Sequence, residues 1–164
     1  MTAATPPYLY AIALGSNRRH GRHGAPDRVI AAALDALAQN DLEVRAISPV
    51  IRTPALGPAG RSFANAAAII SARDEPPALL ARLKAIERLF GRRPGRRWGP
   101  RVVDLDIILW SGGIFASAGL SIPHPAFRGR SFVLEPLAGL APAWRDPVTG
   151  FSMAQLFARL RRRG

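Results

Sequence analysis

Asp104 and Asp106 stand two residues apart in the run Val102-Val103-Asp104-Leu105-Asp106-Ile107-Ile108-Leu109-Trp110. Val103, Leu105, Ile107 and Leu109 alternate along it, which reads as a buried strand. Side chains two apart on a strand share a face, so the two carboxylates point together, away from the apolar row, with Cβ atoms roughly 6–7 Å apart. Such a pair is costly to hold unless something neutralises it. Just upstream, Arg92, Arg93, Arg96, Arg97 and Arg101 surround Trp98 among Gly and Pro breakers, a loop composition. The neutralising partner is therefore either arginine or a divalent metal. A hard cation such as Mg²⁺ takes a few carboxylates and completes its shell with water and phosphate oxygens. Taken alone, the stretch supports a metal–polyphosphate site and a structural Arg–Asp network equally.

Composition narrows the choice. The chain has 164 residues, enough for a single domain (1–164) with a real core. Its formal net charge is +12, and of 23 basic residues only Lys84 is lysine. The arginine fork matches phosphate oxygens bidentately, so a polyanionic partner is expected, either nucleic acid or a nucleotide. Codon bias in a chain rich in Ala, Gly and Pro accounts for part of the same excess. The absence of cysteine excludes a disulfide framework and a thiolate zinc site. Neither a Walker A sequence nor Gly-x-Gly-x-x-Gly is present, so a bound nucleotide would be held by side chains and metal. Met1–Pro7 carries no basic leader-like region, and the apolar run Tyr8–Leu14 is too short for a signal or membrane segment. A cytoplasmic protein without a membrane partner is the expectation.

These residues need elements to position them. Tyr8–Leu14 reads as a first strand ending in the turn Gly15-Ser16-Asn17, followed by a basic loop over 18–24. Pro26 and Asp27 open a helix to about Asn40, with Val29, Ile30, Ala33, Leu34 and Leu37 as its apolar face. Leu42–Ile51 reads as one strand, and 52–60 as a Pro- and Gly-dense loop. Phe63–Ser71 is a third strand on which Phe63, Asn65 and Ala67 share a face. That arrangement suits a flat hydrogen-bonding heterocycle or, equally, a capped strand end. Pro76 and Pro77 open a second helix with the stripe Leu79, Leu83, Ile86 and Phe90, ending at Gly91 as C′ residue. Glu87 lies near the edge of that stripe, where it could orient an arginine. A turn at Ser111-Gly112-Gly113 and a short apolar stretch, Ile114–Ile122, lead to His124 between two prolines. Ser131–Leu140 reads as helical at its start, with Phe132, Val133 and Leu137 packing on the sheet, and Phe151–Arg163 as a last helix. The order predicts an α+β fold: a ferredoxin-like βαββαβ core with antiparallel sheet and extra C-terminal helices covering the other face.

Several of these stretches, in order, resemble the 6-hydroxymethyl-7,8-dihydropterin pyrophosphokinase family of folate biosynthesis. The most specific is Arg97-Trp98-Gly99-Pro100-Arg101-x-x-Asp104-Leu105-Asp106, joined by Ala13–Asn17, Arg52-Thr53-Pro54, Phe63-x-Asn65-Ala66, Gly91-Arg92 and Pro123-His124. The resemblance implies transfer of the pyrophosphoryl group of ATP, as co-substrate, to a reduced hydroxymethylpterin, releasing AMP. It implies that Asp104 and Asp106 bind two Mg²⁺ ions, and that Arg92, Trp98 and Arg101 meet ATP from a mobile central loop and the strand start; this lid, over 91–99, is expected to be disordered or open without ATP. His124 and Arg130 would meet the phosphates from the other side, with Ile107 and Ser121 along the adenine, mainly through backbone. The pterin would stack between Phe63 and Phe132, its edge read by Asn65 and the backbone near Thr53, Pro54 and Leu56. Asp106 is expected nearer the pterin hydroxyl, as its base. The loop after Arg92 departs from the family in lacking a further arginine two places on, and Phe63 replaces the usual Tyr. A monomer without nucleic-acid partner is the default. The alternative from another class is a basic RNA-binding ferredoxin-like module, against which the chain lacks an RNP1-like aromatic run.

Overall fold

The computed structural model describes residues 7–17, 24–53, 63–91 and 102–163. Its first strand, β1 (Tyr8–Ser16), leads to α1 (Pro26–Gln39). Pro26 at the helix start suits the position, because its missing N–H would be unpaired there anyway. Asn40 closes α1, its side-chain amide donating to the Ala36 carbonyl at 2.7 Å. Then follow β2 (Glu43–Ile47), β3 (Ile51–Thr53), β4 (Phe63–Ala72), α2 (Pro76–Gly91) and β5 (Asp104–Trp110). A small hairpin, β6 (Phe115–Ser117) and β7 (Leu120–Ile122), precedes a 3₁₀ turn at Phe127–Gly129, α3 (Ser131–Leu140) and α4 (Met153–Arg163).

The sheet runs β2-β4-β1-β5, with β3 also paired to β4, and every pairing is antiparallel. This is the ferredoxin-like order, and it matches the expected βαββαβ core. The expected strand over 42–51 is instead two, β2 and β3, interrupted at 48–50. Ser48 causes the break: its hydroxyl accepts the Ala67 N–H at 2.8 Å while its own N–H donates to the Ala67 carbonyl at 2.9 Å. A side chain thus takes a ladder position, and Pro49 has no N–H with which to continue. Gly91, expected just past α2, is its last residue.

Two cores sandwich the sheet. Tyr10, Ile12 and Leu14 of β1, with Leu105 and Ile107 of β5, meet α1 and the stripe Leu79, Leu83, Ile86 and Phe90 of α2. On the opposite face Ala11, Ala67, Ile69, Ile108 and Leu109 meet Val133, Leu134 and Leu137 of α3 and Met153 and Leu156 of α4. The C-terminal helices therefore cover the second face, as expected. The alternation read along β5 holds only to Ile107. The register with β1 slips between Ala11 and Ile12, which pair with Leu109 and Ile107. This bulge turns Leu109 onto the α3/α4 side. Phe132 departs too: it is 38% exposed rather than packed on the sheet.

Candidate active site

The face that α3 and α4 cover is left open at one end, and there the chemistry-bearing residues collect. Gly15 of β1 pairs with Asn65 on one side and with Asp104 on the other. One step along, Ala13 pairs with Ala67 and with Asp106. Directly paired residues of antiparallel strands share a face, so Asn65, Gly15 and Asp104 form one row and Ala67, Ala13 and Asp106 the next. Asn65 and Asp104 are two strand spacings apart, about 10 Å. Between them β1 contributes only Gly15, with Ala13 one step along, so among the described strands nothing but the Asn65 amide leans over that span. A Cβ on Gly15 would meet Asn65 Oδ1 at 3.2 Å, so the glycine also leaves room for that amide.

Asn65 is 6% exposed, and its amide lies 3.4 Å from Thr53 Oγ1, a long contact that leaves most of its capacity for another partner. Thr53 pairs directly with Phe63 across β3 and β4. Phe63 is 46% exposed and Phe132, at the start of α3, 38%. Large aromatics left this open offer ring faces on which a flat heterocycle can stack, and Phe63 stands two residues from the Asn65 amide on the same face of β4. Phe63 and Asn65 on β4 and the carboxylates on β5 thus stand on opposite sides of β1.

His124 is anchored to the same strand as the acids, its backbone N–H donating to the Ile108 carbonyl at 3.0 Å. Its Nδ1 accepts the Ala126 N–H at 3.1 Å. The imidazole proton therefore sits on Nε2, as a donor. Burial lowers the pKa of His124 below the ordinary histidine value; Asp106 opposes that shift and the Arg130 charge adds to it. The side chain is a neutral donor near Asp106, suited to an anionic oxygen. Arg130 is exposed, its guanidinium 5.9 Å from the Phe132 ring centroid. Between them Arg128 is fixed differently: Nε and Nη2 donate to Asp146 at 2.6 and 2.9 Å. Asp146 is fully buried.

Asp104 is exposed and Asp106 half-buried. Among the described residues no three acids or histidines come together as a metal cage. Two carboxylates on a rigid strand fit instead a hard cation that draws its remaining oxygens from water and phosphate, which is how Mg²⁺ is commonly held. Ile107 is buried in the α1/α2 core, so only its backbone could serve a ligand; Ser121 is exposed on β7. Pro54, Leu56, Arg92, Trp98 and Arg101, the basic loop up to residue 23 and the expected lid beyond Gly91 lie outside the described residues.

Among the described residues Glu87 orients no arginine. Its Oε1 accepts the Leu105 N–H at 2.9 Å, and Lys84 lies 3.3 Å from Oε2. Its signal in the sequence was an acid between Leu83, Ile86 and Phe90 on a core-facing stripe. The Arg128–Asp146 pair gave no such signal, because its members lie 18 residues apart in unrelated segments.

A family model described as 7,8-dihydro-6-hydroxymethylpterin-pyrophosphokinase (HPPK) matches residues 11–142. The 2-amino-4-hydroxy-6-hydroxymethyldihydropteridine pyrophosphokinase of Pseudomonas aeruginosa is 41% identical over 138 residues, covering 83% of this chain and 82% of that protein. The protein of the same name from Synechocystis is 40% identical over 119 residues, covering 73% of this chain but 61% of its own length. Among solved structures, wild-type Plasmodium falciparum HPPK-DHPS superposes with a TM-score of 0.72 over 98% of this chain and 46% of that one. At 13% identity that is a likeness of fold alone.

Proposed function

The chain belongs to the 7,8-dihydro-6-hydroxymethylpterin-pyrophosphokinase family, and on that premise we propose that it transfers the pyrophosphoryl group of ATP to the hydroxymethyl oxygen of 6-hydroxymethyl-7,8-dihydropterin in folate biosynthesis. A bond forms from that oxygen to the β-phosphorus. The bond from the β-phosphorus to the α–β bridging oxygen breaks, and AMP leaves with that oxygen. The observation that carries the reading is the row Asn65–Gly15–Asp104, with a buried amide on one strand, a carboxylate on another and only glycine on the strand between them.

The residues divide the work along that row. Asn65 and Thr53 hydrogen-bond the pterin edge, and Phe63 and Phe132 hold its faces, which sets the hydroxymethyl group toward the acids. Asp104 and Asp106 are the ligands for Mg²⁺, two ions in this reading. Bound there, the metal supplies charge neutralisation for the phosphates and acidifies the substrate hydroxyl. Asp106, in the row beside the pterin path, accepts the hydroxyl proton. His124 donates through Nε2 and Arg130 through its guanidinium to the phosphate oxygens, where positioned positive and donor groups offset the charge of transfer. The Ile107 backbone and Ser121 border the adenine, and Arg92, Trp98, Arg101, Pro54 and Leu56 keep the ATP and pterin roles that the family resemblance gives them. The chain acts as one pyrophosphokinase domain, cytoplasmic and monomeric. No helix among the described residues is long and apolar enough to cross a membrane.

The RNA-binding alternative loses its footing, because the open face of the sheet presents carboxylates, which repel a phosphate backbone. Incubation with ATP, Mg²⁺ and the reduced hydroxymethylpterin tests the proposal through AMP release. AMP no higher than with the Asp104→Ala variant overturns it.

A further inference from the structure

Glu87 is a buried acid that the chemistry above does not use. It projects from α2 and is 9% exposed. Its Oε1 accepts the Leu105 N–H at 2.9 Å, and Lys84, the chain's single lysine, approaches Oε2 at 3.3 Å. Desolvating a carboxylate is costly, so its place calls for a reason. Among the described residues β5 is an edge strand, and an outward N–H on an edge has no neighbouring strand to receive it. Leu105 is also the residue between Asp104 and Asp106. The same end of β5 is fixed twice more: Ser16 Oγ donates to the Val102 carbonyl at 2.7 Å, and a Cβ on Gly91 would lie 2.6 Å from Val102 Cγ2. The end of α2 and the start of β5 are therefore clamped together where the acids leave the sheet.

We propose that Glu87 is a positioning residue for divalent-cation binding: by holding the Leu105 amide it fixes the backbone from which Asp104 and Asp106 project. The proposal rests on reading those two aspartates as the metal-binding pair. What matters is an acceptor at the right reach, not the charge. Groups that orient metal ligands in this way are typically worth about 10- to 100-fold in metal affinity.

Mn²⁺ binding, followed by electron paramagnetic resonance with a non-hydrolysable ATP analogue, tests this without turnover. Glu87→Gln keeps the acceptor and loses the charge; its affinity should stay within about threefold of wild type. Glu87→Asp keeps the charge and loses the reach; its affinity should fall by about 10-fold or more. Wild-type affinity in Glu87→Asp, or a 10-fold loss in Glu87→Gln, overturns the proposal. Asp104→Asn is the control: if it leaves Mn²⁺ affinity unchanged, the metal-pair reading fails instead. Should Glu87→Asp not fold, Glu87→Gln and wild-type hydrogen exchange decide. The Leu105 amide is expected to be protected at least about 100-fold over a free peptide, and unprotected exchange overturns the proposal.

Discussion

Replacing Asp146 by Ala should be among the most damaging changes available outside the active site. The fully buried carboxylate accepts from Arg128 Nε and Nη2 at 2.6 and 2.9 Å, from Thr149 Oγ1 at 2.7 Å and from the Val148 N–H at 3.0 Å. Burial by itself raises its pKa, but the donors, led by Arg128, outweigh it and bring the group from 3.8 down to about 2. At 1.36 kcal/mol per unit, that is about 2 kcal/mol of pH-dependent stability. The folded pKa is depressed, so this stability is fully present above the unfolded value near 4 and is lost as pH falls toward 2. Roughly half remains at pH 3. Deleting the carboxylate also strands the Arg128 guanidinium, and breaking such a pair from one side costs about 3–5 kcal/mol. For a chain of this size the melting temperature should fall by about 6–20 °C. Urea unfolding of wild type, Asp146→Ala and Asp146→Asn at pH 7, 5 and 3 measures all of this. Arg128 lies in the turn between His124 and Arg130, so KM for ATP should rise with the loss. A cost under about 1 kcal/mol at pH 7, or a wild-type advantage over Asp146→Asn that does not shrink between pH 5 and 3, refutes the reasoning.

Asp106→Asn should lower kcat by at least about 100-fold and change the rate–pH profile if Asp106 accepts the hydroxyl proton. An unchanged profile with only weakened metal binding would leave it a ligand and no base. Asn65→Ala should weaken pterin binding by about 10-fold or more, since a site built to hydrogen-bond an edge is left unpaired, while ATP affinity stays the same; calorimetry with each ligand separates the two, and equal losses count against the assignment. By nitrogen NMR, His124 should be a neutral Nε2–H imidazole at pH 7, protonating only below the ordinary histidine midpoint, because burial disfavours its charged form. A midpoint at or above 6.5 contradicts the packing around it.

How much of this was legible in the sequence depended on how local each signal is. The α1 and α2 faces follow from the spacing of Val29, Ala33 and Leu37 and of Leu79, Leu83 and Phe90, and all six are buried. The shared face of Asp104 and Asp106 needs only a strand period of two. The break at Ser48 was invisible, because it depends on a hydroxyl reaching β4, a partner 19 residues away. The turning of Leu109 was equally hidden, since a bulge is a property of two strands and not of one. Glu87 read as an acid at the edge of the α2 stripe without an evident partner, because that partner is a backbone N–H, which no side-chain pattern advertises.

The unequal cover of the two sheet faces explains where the chemistry sits. On the α1/α2 side β1 presents Tyr10, Ile12 and Leu14, large enough to fill the space beneath two long helices. On the other side the same strand presents Ala11, Ala13 and Gly15, diminishing toward the open end. α3 and α4 pack on β4 and β5 around Ile69, Ile108 and Leu109. Beyond that cover Ala13 and Gly15 of β1 leave a shallow floor, and a polar group placed there stays in contact with solvent and ligand. An acid at Leu105 or Ile107 would enter an apolar core and stay neutral at considerable cost. One residue to either side, at Asp104 and Asp106, it faces the open end of the sheet, exposed at Asp104 and half-buried at Asp106. The strand period thus converts a one-residue difference in sequence into the difference between core and catalysis. The same argument assigns Gly15 its part: the smallest residue stands where a ligand must cross from the amide of Asn65 to the acids.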